Sequence, residues 1–170
     1  MQPETQQIWD WLAEVPDPEI PVVSVTELGI VREVRWDGDT LLVAVTPTYS
    51  GCPATAVIDL AIEAHLRGKG IGKLRLERRL SPPWTTDWVT PEARDKLRAY
   101  GIAPPVDGTA SDGRTAGRAA RMAGGSNLVI ECPRCGSTDT ERVSQFGSTP
   151  CKASYRCKSC LEPFDYFKCH

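Results

Sequence analysis

Two cysteine pairs near the end of the chain, Cys132-Pro-Arg-Cys135 and Cys157-Lys-Ser-Cys160, constrain the fold more than any other feature. Two residues between the cysteines of a pair let both sulfurs converge on one ion from a single tight turn, and two such turns complete a tetrahedron. Gly136, directly after the first pair, suits the left-handed backbone that such a turn commonly needs. The last 43 residues hold six of the seven cysteines. So short a segment has too little core to fold without a metal or disulfides, and a four-thiolate site is expected to organise it as a zinc ribbon. Four sulfur ligands leave no open position for water, which makes the expected zinc structural. Iron in the same cage is the rival, because the residues alone do not choose between the two ions.

The rest of the composition narrows the class. A chain of 170 residues with 41% hydrophobic content can bury a sizeable core, as one domain or as a domain with a small module. A formal charge of −2 argues against a nucleic-acid binder working through bulk positive charge. The tail from Leu128, with six Lys or Arg against five Asp or Glu, carries no basic stripe either. The opening MQPETQQIWDW has neither a basic region nor a signal-length apolar core, and no stretch is apolar over a membrane-spanning length. A soluble cytoplasmic protein with no membrane partner is expected. In that reducing compartment, an odd cysteine count with two C-x-x-C pairs points to metal ligation over a disulfide framework.

Along the chain, Ile8, Leu12 and Val15 share one face at helical spacing with Trp11 beside them, and Pro16 ends that helix. After the turn PDPEIP, the segments VSVTELGIVREVRW and TLLVAVTP read as two strands, with Asp37-Gly38-Asp39 as their hairpin turn. From Pro53 to Leu66 the helical period returns through Ala54, Val57, Ile58, Ala61, Ile62 and Leu66, and Gly68 with Gly70 closes it. KLRLERRL then alternates like a third strand. The fold class expected is α+β: a small two-layer α/β domain over residues 1–80, a helical extension over 81–102, a flexible linker over 103–127 rich in Gly, Pro, Ala and Ser, and the four-cysteine zinc ribbon over 128–170. Within the extension, Thr90 is the expected N-cap, Pro91 the first helical residue and Gly101 the stop.

Cys52 stands apart from the other six cysteines, in TPTYSGCPAT. With Pro53 suited to a first helical position, Cys52 becomes the expected N-cap of the second helix, where unpaired N–H groups favour a reactive sulfur. A small residue packed under a turn fits the same position, and the residues leave that choice open. Cys151 and Cys169 are likewise open between spare ligands, redox thiols, a second metal contact and packing. His65, at the end of the second helix, reads as a C-terminal helix partner. No serine sits in a nucleophile elbow, no pair of E-x-x-H helices offers a diiron site, and no G-x-G-x-x-G opens a dinucleotide fold.

PDPEIP, TELGIVREV and TYSGCPAT, in that order, resemble the domain shared by iron-sulfur assembly factors formerly grouped as domain of unknown function 59. The set is specific though each piece is weak alone, and it covers about the first 80 residues. The resemblance implies that the acidic turn and the cysteine lie on one face and assist delivery or insertion of iron-sulfur clusters. On matching positions, Asp17, Glu19, Thr48 and Cys52 are the candidates to hold iron or a cluster transiently. Tyr49 departs from the small polar residue of many relatives, which implies a modified pocket.

The whole chain, with WTTDWVTPEARDKLRAYGIAPP, FGSTPCKASYRC and EPFDYFKC, is similar to the D-type components of ring-1,2-phenylacetyl-CoA epoxidase systems of aerobic phenylacetate degradation. That resemblance implies an accessory maturation protein, not an enzyme. Its partners would be the diiron oxygenase or the flavin and iron-sulfur reductase, with self-association to a homodimer left open. A rubredoxin-like iron electron carrier and a pure docking scaffold of the same complex are the other readings.

Overall fold

The computed structural model describes residues 2–49, 51–106 and 129–167. The chain divides into two compact units, one of Met1–Trp84 with Trp88–Ala93 and one of Thr85–Asp87 with Arg94–His170.

In the first unit, α1 (Thr5–Leu12) packs against α2 (Thr55–Gly68) and against β1 (Val31–Asp37). Ile8 and Leu12 are fully buried on the inward stripe of α1. Val15 is buried too, but the helix has already ended, and its N–H donates to the Leu12 carbonyl in the following turn. β1 and β2 (Thr40–Val45) form the expected hairpin, with Asp37 opposite Thr40 and Gly38 left-handed at the turn. β2 is the central strand and is buried from Leu41 to Val45. β3 (Leu74–Arg78) pairs parallel to it, with α2 as the crossover that a parallel connection needs.

The strand expected from Val23 begins only at Val31. The reason lies in Ser24-Val25-Thr26-Glu27: the Ser24 N–H donates to Glu27 Oε2 (2.9 Å) and the Glu27 N–H donates to Ser24 Oγ (3.2 Å). This reciprocal capping pair wins over β propensity: Ser24 keeps only an isolated bridge to Pro16, and residues 25–29 coil into turns. Gly29 follows in left-handed backbone, with Trp88 so close that a Cβ at Gly29 would lie 2.6 Å from the Trp88 Cβ. Trp84 Nε1 donates to the Leu28 carbonyl (2.8 Å), so the segment after β3 is fastened to this turn.

α3 (Pro91–Tyr100) begins as its sequence implies, with Thr90 Oγ1 accepting the Ala93 N–H at 3.1 Å, and Gly101 ends it in left-handed backbone. Ile102 and Ala103 then form β4, paired parallel to β7 (Pro163–Phe167). Composition places Ala103 at the head of a linker, yet it is buried in the second unit's sheet. Residues 107–127 of that linker lie outside the described residues. β5 (Thr140–Ser144) and β6 (Lys152–Cys157) complete an order β4-β7-β6-β5, antiparallel except for β4. Ala103, Ile130, Ala153, Phe164 and Tyr166 form a core that also contains Cys132 and Cys157. Tyr155 flanks it, stacked on Phe164 and edge-on to Tyr166. No described helix is long and apolar enough to cross a membrane.

Candidate metal centre

Each cysteine pair of the second unit sits on a tight turn. After the first pair, the Gly136 N–H donates to the Cys132 carbonyl (2.9 Å), and Gly136 takes the left-handed conformation its position implies. In the second turn the matching residue is Leu161, with φ 66° where glycine is the comfortable choice. The Cys157 N–H donates to the Glu162 carbonyl (3.0 Å) and closes it. Ser137 and Ser159 share a hydroxyl hydrogen bond (2.8 Å) that ties one turn to the other.

These turns bring the four sulfurs of Cys132, Cys135, Cys157 and Cys160 within 4.8 Å of one another. Cys132 and Cys160 approach to 3.8 Å and Cys135 and Cys157 to 3.6 Å. A tetrahedron with metal–sulfur bonds of ~2.3 Å has edges of about 3.8 Å, so the cage already has the size of a bound ion. Cys132 and Cys157 are buried while Cys135 faces solvent. The donor set fits a closed, four-coordinate, thiolate-rich metal site.

Charge within the cage is unevenly held. N–H donation from Cys160 and Ser159, with support from neighbouring thiols, outweighs burial and brings Cys157 down to about 6. The Glu162 N–H favours a Cys160 thiolate, but burial and the surrounding thiols overcome it and push that group up to about 12. Cys135 is also raised, since the thiols beside it and desolvation outweigh the N–H of Ser137. Without a cation, sulfurs this close share protons; an ion would collect them as thiolates.

The Cys52 region is built differently. Cys52 is half-buried on the turn that links β2 to α2, following Gly51 in left-handed backbone. Its N–H donates to the Tyr49 carbonyl (3.2 Å), and its own carbonyl accepts the Thr55 N–H (3.2 Å). The helix therefore begins at Thr55 with Ala54 at its N-cap, and Pro53 belongs to the turn, correcting the expectation that Cys52 caps α2. Thr48 is half-buried on the same connection.

Asp17 is buried, with Oδ1 accepting the N–H groups of Glu19 (2.9 Å) and Ile20 (2.8 Å). Its own N–H donates to the Val23 carbonyl (2.8 Å). The proline-flanked bend is thus held from inside by its aspartate. An aspartate followed by proline and then free N–H groups is the signature of such a turn. Glu19 is half-buried. Among the described residues, the four-cysteine cage is where three or more Cys, His, Asp or Glu ligands converge, and Cys52, Asp17 and Glu19 form no such group. Cys151 is buried outside the cage, its sulfur 3.0 Å from Thr149 Oγ1, whereas Cys169 lies beyond the described residues. His65 Nε2 stands 3.1 Å from Glu14 Oε2, a bridge from α2 to the end of α1.

Comparison with known proteins assigns the two parts. Residues 5–73 match the family model described as iron-sulfur cluster assembly protein, and residues 116–168 match the PaaD zinc beta ribbon domain. An iron-sulfur assembly domain carrying a zinc ribbon is the class that fold and cage define. Within it, the chain belongs to the family of D-type components of 1,2-phenylacetyl-CoA epoxidase. It is 47% identical over 169 residues to the putative D-type component of 1,2-phenylacetyl-CoA epoxidase from Escherichia coli (strain K12), covering 98% of this chain and 94% of that relative. The fold is also similar to a solved domain of unknown function 59 from Bacillus anthracis. That match has a TM-score of 0.51 at 24% identity and covers 55% of this chain and 90% of the other. A conserved hypothetical protein from Thermotoga maritima aligns at 26% identity and a TM-score of 0.49, over 56% of this chain and 95% of its own.

Proposed function

We propose that this protein is an accessory maturation factor that assists insertion of iron or an iron-sulfur cluster into the phenylacetyl-CoA epoxidase oxygenase or its reductase. The observation that carries the reading is the position of Cys52. It is a free, half-buried thiol on a glycine-led turn, inside the segment that matches iron-sulfur assembly proteins. A single thiolate on a connecting loop grips metal weakly enough to release it, whereas a closed four-sulfur cage hinders release. Thr48 and Glu19 are the candidates to assist. Asp17 contributes by holding the acidic bend, since its Oδ1 is committed to two backbone N–H groups.

In this reading the second unit binds zinc through Cys132, Cys135, Cys157 and Cys160, and the zinc supplies folding energy, not chemistry. The burial of two of its ligands within the hydrophobic core supports a structural ion. Elemental analysis of the purified protein tests that part: zinc at one per chain is expected, and a red protein that bleaches on reduction would make the cage an iron electron carrier.

Replacing Cys52 with Ser tests the maturation role. The variant is expected to fold and keep its zinc, while oxygenase and reductase purified from cells carrying it are poor in iron. Full iron in both clients would overturn the role.

A further inference from the structure

The described residues of the first unit leave three large aliphatic side chains in water: Val57 at 51% exposure, Leu60 at 67% and Leu80 at 59%. All three are at the end of the unit where Cys52 lies. The C-terminal ends of β2 and β3 run side by side with Val45 opposite Arg78, and the Arg79 N–H donates to the Val45 carbonyl (2.8 Å). Leu80 therefore leaves the sheet beside the chain that runs on from Val45 to Cys52. Cys52 leads in turn into α2, whose first half carries Val57 and Leu60. An ion pair from Arg78 to Asp59 ties that half of the helix to the same edge.

The helical period assigns Val57 to the core, but the core face of α2 is Ile58, Ile62 and Leu66. Ala56, Val57, Leu60 and Ala64, all exposed, form a second apolar stripe that folding does not use. We propose that this stripe with Leu80 is the docking surface for the protein that receives metal from Cys52, a partner presenting apolar side chains around its own unfilled metal ligands. The inference rests on the reading of Cys52 as the thiol that hands metal over.

Size and charge choose this occupant. Together these side chains expose on the order of 300–400 Å² of apolar surface, the size of the largest patch on an ordinary monomer, which is often functional. That is about half of the ~800 Å² each partner gives to a stable complex, which suits a contact that must part after transfer and falls short of a permanent second copy. The charges beside it are already paired within the chain, Asp59 with Arg78 and Glu63 with Arg67. An approaching surface meets a balanced rim, so recognition is apolar and tolerant of salt.

The test measures binding of the full-length protein to metal-free oxygenase and to metal-free reductase, each immobilised, at low and at high salt. Wild type is expected to bind one of them with little salt dependence. Leu60→Glu, or Val57→Lys on the same face, should weaken that binding at least about tenfold with thermal melting unchanged. Cys52→Ser should bind like wild type, which separates docking from hand-over: a Cys52→Ser strain with fully loaded clients removes the hand-over reading, and with it the transfer role assigned to this surface. Unchanged binding by both helix variants overturns the docking surface and leaves Cys52 untouched. So does a stable dimer that Leu60→Glu splits while client binding persists, or a wild type that binds neither client.

Discussion

The sulfurs of Cys135 and Cys157 stand 3.6 Å apart, each delivered by a different turn of the second unit. Repulsion forbids two thiolates at that distance without a cation, and the proton inventory reflects it: Cys157 lies at about 6, Cys160 at about 12, and Cys135 is raised. Near neutral pH a zinc ion must therefore expel at least the protons of Cys135 and Cys160. Protons compete with metal, so affinity is expected to rise with pH and to fall more steeply below about 6, where Cys157 also protonates. Zinc titration against a competing chelator at several pH values, with proton release followed in weak buffer, checks the sign. Stripping the metal should also melt β5–β7, visible as lost β-sheet circular dichroism.

Gly29 meets Trp88 with no room to spare. Its φ is +69°, and a methyl there would lie 2.6 Å from the Trp88 Cβ and 2.9 Å from the Trp88 carbonyl oxygen. Gly29→Ala combines left-handed strain of ~1–2 kcal/mol with overpacking of ~1–3 kcal/mol, so a loss of about 2–5 kcal/mol is expected. Urea unfolding of the zinc-loaded protein measures it. Arg32, whose guanidinium lies 3.5 Å from the Trp88 ring centroid, should become more accessible as that contact loosens.

How much of this is legible in the sequence depends on the range of the interaction. The hairpin at Asp37–Asp39, the core period of α2 through Ile58, Ile62 and Leu66, and the convergence of the four cysteines all follow from local pattern, and the fold shows each. β4 is not readable, because two residues carry no period and their partners, Asp165 and Tyr166, lie far along the chain. Periodicity also does not say that Val57 faces water, since a helix with two apolar stripes gives the same pattern as one with a wide stripe. The turn at Ser24–Glu27 and the role of Asp17 are readable in principle, through S-x-x-E and through aspartate before proline. In practice the β-branched neighbours of Ser24 argue for a strand, and the family motif draws Asp17 toward metal, a role separate from the turn that its Oδ1 holds.

Leu161 bears the strain that Gly136 avoids. Both follow the second cysteine of a pair in left-handed backbone, Leu161 at φ 66° and Gly136 at φ 73°. Leu161 is also 61% exposed, so its side chain packs little. Leu161→Gly should stabilise the zinc-loaded protein by ~0.5–1 kcal/mol, and Gly136→Ala should destabilise it by about 1 kcal/mol. Opposite shifts in melting temperature would be the signature.

Asp17 separates a structural carboxylate from a ligating one. Its Oδ1 takes two backbone N–H groups in the bend that precedes Val23. Asp17→Asn keeps an acceptor there, so stability is expected to fall by no more than about 1 kcal/mol, while Asp17→Ala leaves both donors without it and costs ~1–3 kcal/mol. Iron content of the clients should follow fold stability in this pair. An Asn variant as stable as wild type but with empty clients would make Asp17 a ligand.

The ammonium of Lys152 lies 3.3 Å from Asp165 Oδ2, with the lysine side chain 8% exposed and the aspartate 28%. The same oxygen accepts the Ser148 hydroxyl (3.3 Å), and Asp165 is the residue opposite Ile102 in the β4–β7 pairing. Removing the carboxylate alone strands a positive charge in the sheet. Breaking a buried pair costs ~3–5 kcal/mol, and partial exposure of Asp165 places Asp165→Ala nearer ~2–3 kcal/mol. An apolar residue of similar length needs no partner, so Lys152→Met combined with Asp165→Ala should recover most of that loss. Recovery in denaturant titration of the zinc-loaded double variant identifies the stranded charge as the cause; a double variant as weak as Asp165→Ala would place the loss in the Ser148 hydrogen bond and the strand packing instead.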